Sequence, residues 1–85
     1  IVSDPCSGRT MAVYTDCPGL QLYTANFLNV TGKDGIPYGF HSAVCLETQY
    51  FPDSVNHPHW KQPFIKANVP FHSETRYRFS FSNFM

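Results

Sequence analysis

The sequence predicts an all-β protein built from short antiparallel strands. No stretch of its 85 residues keeps the 3.6-residue apolar period of an amphipathic helix, so little or no helix is expected. Seven prolines and five glycines divide the chain into short pieces. Several of these pieces alternate apolar and polar residues or are rich in β-branched and aromatic side chains, as strands are. We therefore expect roughly four or five strands joined by long loops.

The strand pattern occurs in four segments, which are residues 11–15, 20–25, 43–49 and 76–81. The last segment alternates most cleanly and places Tyr77, Phe79 and Phe81 on one side, which predicts an aromatic core face. By the same alternation, Gln21 and Glu47 each lie on the opposite side of their strand from the neighbouring leucines.

Two long segments are predicted to lack a central strand. Residues 29–41 contain three glycines and one proline and are interpreted as a loop. Residues 51–70 contain four prolines, which cannot donate to a strand ladder. We expect an irregular traverse there, with short extended pieces around Phe64 and Ile65.

The charge balance excludes several classes of function. Six Lys and Arg against six Asp and Glu give a formal net charge of zero, and charged residues are only 14% of the chain. A nucleic-acid-binding module would need a basic face to neutralise phosphates. The longest apolar stretches are also too short to span a membrane. We expect no nucleic acid and no membrane as partner.

The cysteines and histidines do not predict a metal or a cofactor. Cys6, Cys17 and Cys45 are odd in number and form no Cys-x-x-Cys pair, so they are interpreted as free thiols of a reducing compartment, the cytoplasm. His57 and His59 share one side of an extended segment, but zinc sites need three or four ligands. The proline that follows His57 indicates a structural loop.

Glu47 and Gln21 are the candidate functional residues. Glutamate is depleted in strands, yet Glu47 lies mid-strand in a mostly apolar segment. Burial would raise the pKa of such a carboxyl toward neutrality, which suits a general base. If Gln21 shares the sheet face, an amide that donates and accepts lies beside the carboxylate, as a hydroxyl-rich ligand requires. The alternative is an exposed glutamate with no role.

Aromatic side chains add candidate walls for a sugar ring. The four candidates are Tyr23, Phe27, Phe40 and Trp60. Flat apolar rings line many small-molecule sites. Ordinary core packing is the alternative for each of them.

Three segments together resemble the C-terminal end of the aldose 1-epimerase family. In chain order they read PGLQLYTANFL at 18–28, HSAVCLETQ at 41–49 and FPDSVNHP at 51–58. The ending SETRYRF at 73–79 also fits the closing strand of that family. The sequence ANVP at 67–70 departs from the family's usual Arg-Pro-Gly turn.

The resemblance implies a large antiparallel β-sandwich, of which residues 1–85 are the C-terminal portion of a single domain, with the N-terminal portion absent. It implies an isomerase that interconverts the α and β anomers of a free hexose such as glucose or galactose. In that family Glu47 matches the general base and Gln21 matches a glutamine that binds the sugar. The catalytic acid is a histidine upstream of this region, so the chain alone is expected to be inactive. No cofactor is implied.

The resemblance also leaves alternatives for the chain's role. We expect it to pack against the absent N-terminal part or to self-associate. A non-catalytic sugar-binding module and an inactive structural fragment remain alternatives to the enzyme. A substrate carrying a phosphate is a weaker variant, because only Arg9, Arg76 and Arg78 are available as arginine partners.

Overall fold

The computed structural model describes residues 1–82 and contains seven strands. The strands are β1 (Val2–Ser3), β2 (Arg9–Thr15), β3 (Gly19–Tyr23), β4 (Val30–Thr31), β5 (Pro37–Tyr38), β6 (Cys45–Gln49) and β7 (Thr75–Phe81). Two single turns of 3₁₀ helix occupy Lys33–Gly35 and Ser54–Asn56. Every strand pair is antiparallel, which confirms the predicted all-β class.

The strands form three separate sheets. The three-stranded sheet has the order β1-β2-β7, and β2 pairs with β7 along the full length of both strands. The second sheet is the β3–β6 pair, and the third is the short β4–β5 hairpin. The four predicted strand segments correspond to β2, β3, β6 and β7, with boundaries that shift by a few residues.

The prediction of a plain loop over residues 29–41 is wrong, because this segment contains the β4–β5 hairpin. Each of its strands has two residues, which is too short to show alternation. Gly32 has a packing role here, since a methyl group at this position would overlap the ring of Tyr38. The extended pieces expected around Phe64 and Ile65 are not part of any strand.

The prediction of an aromatic core face on β7 is also wrong for this chain taken by itself. Tyr77, Phe79 and Phe81 are 51%, 75% and 67% exposed. They do share one face with Val13 and Met11 of β2, as their alternation predicts. They are exposed because no second layer of the described chain covers this face.

The described chain therefore builds almost no core of its own. Among the described residues only Ala25 and Ser54 are buried, each 3% exposed, and neither lies in a strand. The Cα radius of gyration is 17.3 Å, whereas a compact domain of this length has about 12 Å. The accessible surface is 7330 Å², about 2,200 Å² more than a folded monomer of this size exposes.

Three threonine hydroxyls join the two larger sheets. Thr75, the first residue of β7, lies 3.1 Å from Thr15 and 2.9 Å from Thr48, measured between Oγ1 atoms. Thr15 donates to the carbonyl of Glu74, so it accepts from Thr75, and Thr75 in turn accepts from Thr48. Each hydroxyl then donates once, and β6 is fixed against the β2–β7 ladder at this point.

Candidate active site

Gln21 and Glu47 are directly opposite each other in the β3–β6 pair. Their side chains therefore project from the same face of the pair, which was the condition for a joint site, and their Cβ atoms are about 5 Å apart. Both residues are exposed. The Gln21 amide donates to the Leu22 carbonyl at 3.3 Å, and the Glu47 carboxylate makes no hydrogen bond within residues 1–82. The carboxylate and most of the amide's bonding capacity are thus open to a ligand.

The face that carries these two residues, called here the Gln21–Glu47 face, is bounded by one further cross-strand pair at each end. Tyr23 is opposite Cys45 at one end, and Gly19 is opposite Gln49 at the other. The reverse face of the pair carries Leu20, Leu22, Leu46 and Thr48. The β3–β6 pair therefore has one polar face and one apolar face.

The turn that follows β3 is tied to the segment that precedes β6. Ala25 is buried and has a left-handed backbone with φ 59°, and its carbonyl accepts from the His41 amide at 2.9 Å. The His41 ring nitrogen Nε2 lies 2.9 Å from Oδ1 of Asn26. His41 is therefore engaged in holding this turn, at the Tyr23 end of the Gln21–Glu47 face.

The segment that follows β6 forms a second compact turn at the opposite end. Ser54 is buried, and the Gln62 amide donates to the carbonyls of Ser54, His57 and Trp60 at 2.9–3.1 Å. His57 stacks on Trp60 with a centroid distance of 4.0 Å, and its Nε2 lies 3.2 Å from the Asp53 carboxylate. His57 has a structural role in this turn, as the sequence predicts.

The candidate aromatic walls do not come together around the Gln21–Glu47 face. Tyr23 lies on this face and its hydroxyl accepts from the Phe27 amide at 3.1 Å. Phe27 and Phe40 are 85% and 65% exposed and lie in loops. Trp60 instead packs edge-on against Phe51, with centroids 5.6 Å apart. The sequence analysis did not single out Phe51. This residue follows Glu47 and Gln49 at the same two-residue spacing, which places all three on this face.

The cysteines and histidines make no metal centre in the described part of the chain. All three cysteines are free thiols, and within residues 1–82 no group of three His, Cys, Asp or Glu side chains is placed to hold an ion. A hydrogen bond with the Ser73 hydroxyl lowers the pKa of the Cys17 thiol. No helix in these residues has the length and apolarity needed to cross a membrane.

Known proteins are similar to this chain in sequence. The sequence model of the aldose 1-epimerase family matches residues 1–78. Bovine galactose mutarotase is 47% identical over 76 residues, which are 87% of this chain and 22% of the bovine protein. The mouse galactose mutarotase is 44% identical over 81 residues, or 93% of this chain and 24% of the mouse protein.

A bacterial relative, the aldose 1-epimerase of Escherichia coli K12, is 42% identical over 72 residues, which are 81% of this chain and 21% of that protein. The chain belongs to the aldose 1-epimerase family. It spans less than a quarter of the length of these relatives.

Proposed function

We propose that residues 1–85 are the C-terminal portion of a single aldose 1-epimerase domain and that the complete domain interconverts the α and β anomers of a free hexose such as glucose or galactose. Family membership and the names of the relatives support this reaction. The observation that carries the assignment to particular residues is the direct cross-strand pairing of Gln21 with Glu47. Residues 83–85 belong to the proposed portion but lie outside the described residues.

In the proposed reaction Glu47 is the general base. Its carboxylate takes the proton from the anomeric hydroxyl as the bond between the anomeric carbon and the ring oxygen breaks. The ring oxygen receives a proton from an acid, and the open-chain aldehyde rotates and closes again on its other face. The Gln21 amide donates to one sugar hydroxyl and accepts from another, which holds the sugar beside the carboxylate.

The acid is proposed to come from outside this chain. His41 is bonded to Asn26, and His57 is bonded to Asp53 and stacked on Trp60, so both rings already have structural partners. General acid catalysis is worth about 10²–10⁴-fold in rate. The isolated chain should therefore bind a sugar weakly and turn it over slowly or not at all.

The missing portion of the domain is also the proposed partner of the exposed apolar faces. The aromatic face of β7 is exposed, and on the leucine face of the β3–β6 pair Leu20 and Leu22 are exposed. The excess surface of about 2,200 Å² is in the range of obligate interfaces. Self-association of the chain is the alternative outcome.

The three free thiols support a cytoplasmic location.

The test is to combine the 85-residue chain with the remaining part of bovine galactose mutarotase, produced as a separate polypeptide, and to follow the optical rotation of fresh α-D-galactose. We call this two-chain complex the assembly. Glu47→Gln should lower the rate by at least about 10²-fold while sugar binding survives. Near-normal rates in this variant would overturn the assignment of Glu47 as base.

Glu74→Gln is the matched control, because Glu74 is the only other glutamate of the chain. Its carboxylate forms an exposed ion pair with Arg76 at 3.2 Å, on the three-stranded sheet. Exposed pairs of this kind contribute little to stability. The control should therefore keep the rate of the unmodified assembly.

A non-catalytic sugar-binding module is the second candidate, and the structural roles of His41 and His57 favour it. This alternative would be supported by an assembly that binds galactose while the optical rotation of the sugar changes only at the uncatalysed rate. An assembly that neither binds nor converts galactose would support an inactive structural fragment.

A further inference from the structure

The ring of Phe51 occupies the position that a side chain at Gly19 would take. A methyl group on Gly19 would lie 2.8 Å from Cε1 and 2.9 Å from Cδ1 of Phe51. Since side chains alternate along a strand, position 19 faces the same side of β3 as Gln21. The ring therefore lies on the Gln21–Glu47 face, about 7 Å along the strand from Gln21.

Local packing in the turn after β6 holds this ring in place. Trp60 contacts Phe51 edge-on at an interplanar angle of 65°. Trp60 is itself stacked on His57 at 17°, and the Gln62 amide closes the turn with its three hydrogen bonds. The Phe51 ring is thus fixed on two sides, by Gly19 and by Trp60, but it is still 44% exposed.

We propose that Phe51 forms the apolar wall of the sugar site and packs against a C–H face of the pyranose while Gln21 and Glu47 bind its hydroxyls. This inference rests on the proposed function. An aromatic ring has a negative face, which attracts the slightly positive C–H groups of a sugar. Placing it beside an amide and a carboxylate matches a ligand with one apolar face and one hydroxyl edge. Trp60 acts through Phe51 and is a positioning residue.

The experiment measures kcat and KM for galactose in the assembly with Phe51→Leu. Loss of the aromatic wall should raise KM roughly tenfold, with a smaller change in kcat. Phe51→Tyr keeps the ring and should keep KM. Phe64→Leu is the matched control, since Phe64 is 68% exposed and lies in no strand, and it should leave both constants unchanged.

Gly19→Ala tests the same idea without changing Phe51. The added methyl group must displace the ring, so KM should rise again while the Gln21–Glu47 pairing is kept. An active assembly with an unchanged KM in either Phe51→Leu or Gly19→Ala would overturn the proposal. An unmodified assembly that is inactive would instead contradict the proposed function, so the two failures are distinguishable.

Discussion

The two ends of β7 have opposite surroundings. Its first residue, Thr75, is half-buried, and its hydroxyl contacts both Thr15 and Thr48. Two to four residues further along, Tyr77 and Phe79 are exposed, although they are the more hydrophobic side chains. This chain therefore supplies hydrogen-bond partners for the first end of β7. It supplies no packing partners for the apolar side chains towards the other end.

This difference shows which parts of the structure the chain supplies by itself. Polar contacts close the strand ends and turns, where each hydroxyl or amide finds a partner a few ångströms away. Apolar strand faces need a second layer, and a β-sandwich provides that layer from another sheet. The sheet that would cover Phe79 is not among the described residues of this chain.

The largest expected effect comes from Phe79→Ser, which removes an aromatic side chain from the uncovered end. If this face packs against the rest of the domain, the assembly should dissociate roughly 100-fold more readily, because buried aromatic anchors contribute about 2–4 kcal/mol. The dissociation constant can be measured by titration calorimetry of the two chains.

Arg78→Ser is the control for this prediction, since Arg78 lies on the opposite face of the same strand. It should change the dissociation constant by less than about threefold. A larger loss with Arg78→Ser than with Phe79→Ser would place the partner on the polar face instead.

A smaller effect, on the stability of the assembly, is expected from Thr75→Val at the hydrogen-bonded end of β7. This change keeps the β-branched shape but leaves the Thr48 hydroxyl without its acceptor and Thr15 without one donor. The free energy of unfolding of the assembly should fall by about 1–2 kcal/mol, measured by urea denaturation. Thr75→Ser retains the hydroxyl and should recover most of this loss. Equal losses for the two variants would show that the hydroxyl bridge has no energetic role.

The sequence was sufficient to predict the four longer strands and the sides of β3 and β6 on which Gln21 and Glu47 lie. That these two sides meet in one pair was only a condition at that point, and the structure shows that it holds. Alternation of period two fixes which residues share a face, and the register places this pair opposite each other. The roles of the two residues stay predictions. The sequence also indicated that the loop around His57 has a structural role, and the contacts of His57 with Asp53 and Trp60 agree with this.

The remaining features depend on contacts between residues far apart in the chain. Thr15 and Thr75 are separated by 60 positions, and nothing in the local sequence of either indicates the bridge. The β4–β5 hairpin is too short to produce a pattern. The exposure of Phe79 could not be predicted because alternation identifies an apolar face but not what covers it.

The smallest expected effect concerns Asp16, whose charge stabilises the hydrogen-bonded end of β7, next to Thr75. Its carboxylate accepts from the Glu74 amide at 3.1 and 3.2 Å and from the Ser73 hydroxyl at 3.0 Å. These hydrogen bonds hold the pKa of the Asp16 carboxyl below its ordinary value of 3.8. The Glu74 amide has the larger effect and the Ser73 hydroxyl the smaller one. Because the pKa is lower in the folded state, this stabilisation is present above pH 3.8 and is lost as the pH falls through the lowered value.

The measurement is the hydrogen exchange rate of the Glu74 amide in the assembly, followed from about pH 5 down to pH 2. The protection of this amide should fall in the acid range, beyond the ordinary pH dependence of exchange. In Asp16→Asn the side-chain carbonyl can still accept a hydrogen bond but carries no charge, so protection should be weaker at pH 5 and the extra acid-dependent loss should disappear. Asp34→Asn is the control, because Asp34 lies in an exposed turn away from β7. If Asp16→Asn kept the same acid-dependent loss, another group would have to be responsible for it, and the polar closure of this strand end would not depend on the Asp16 charge.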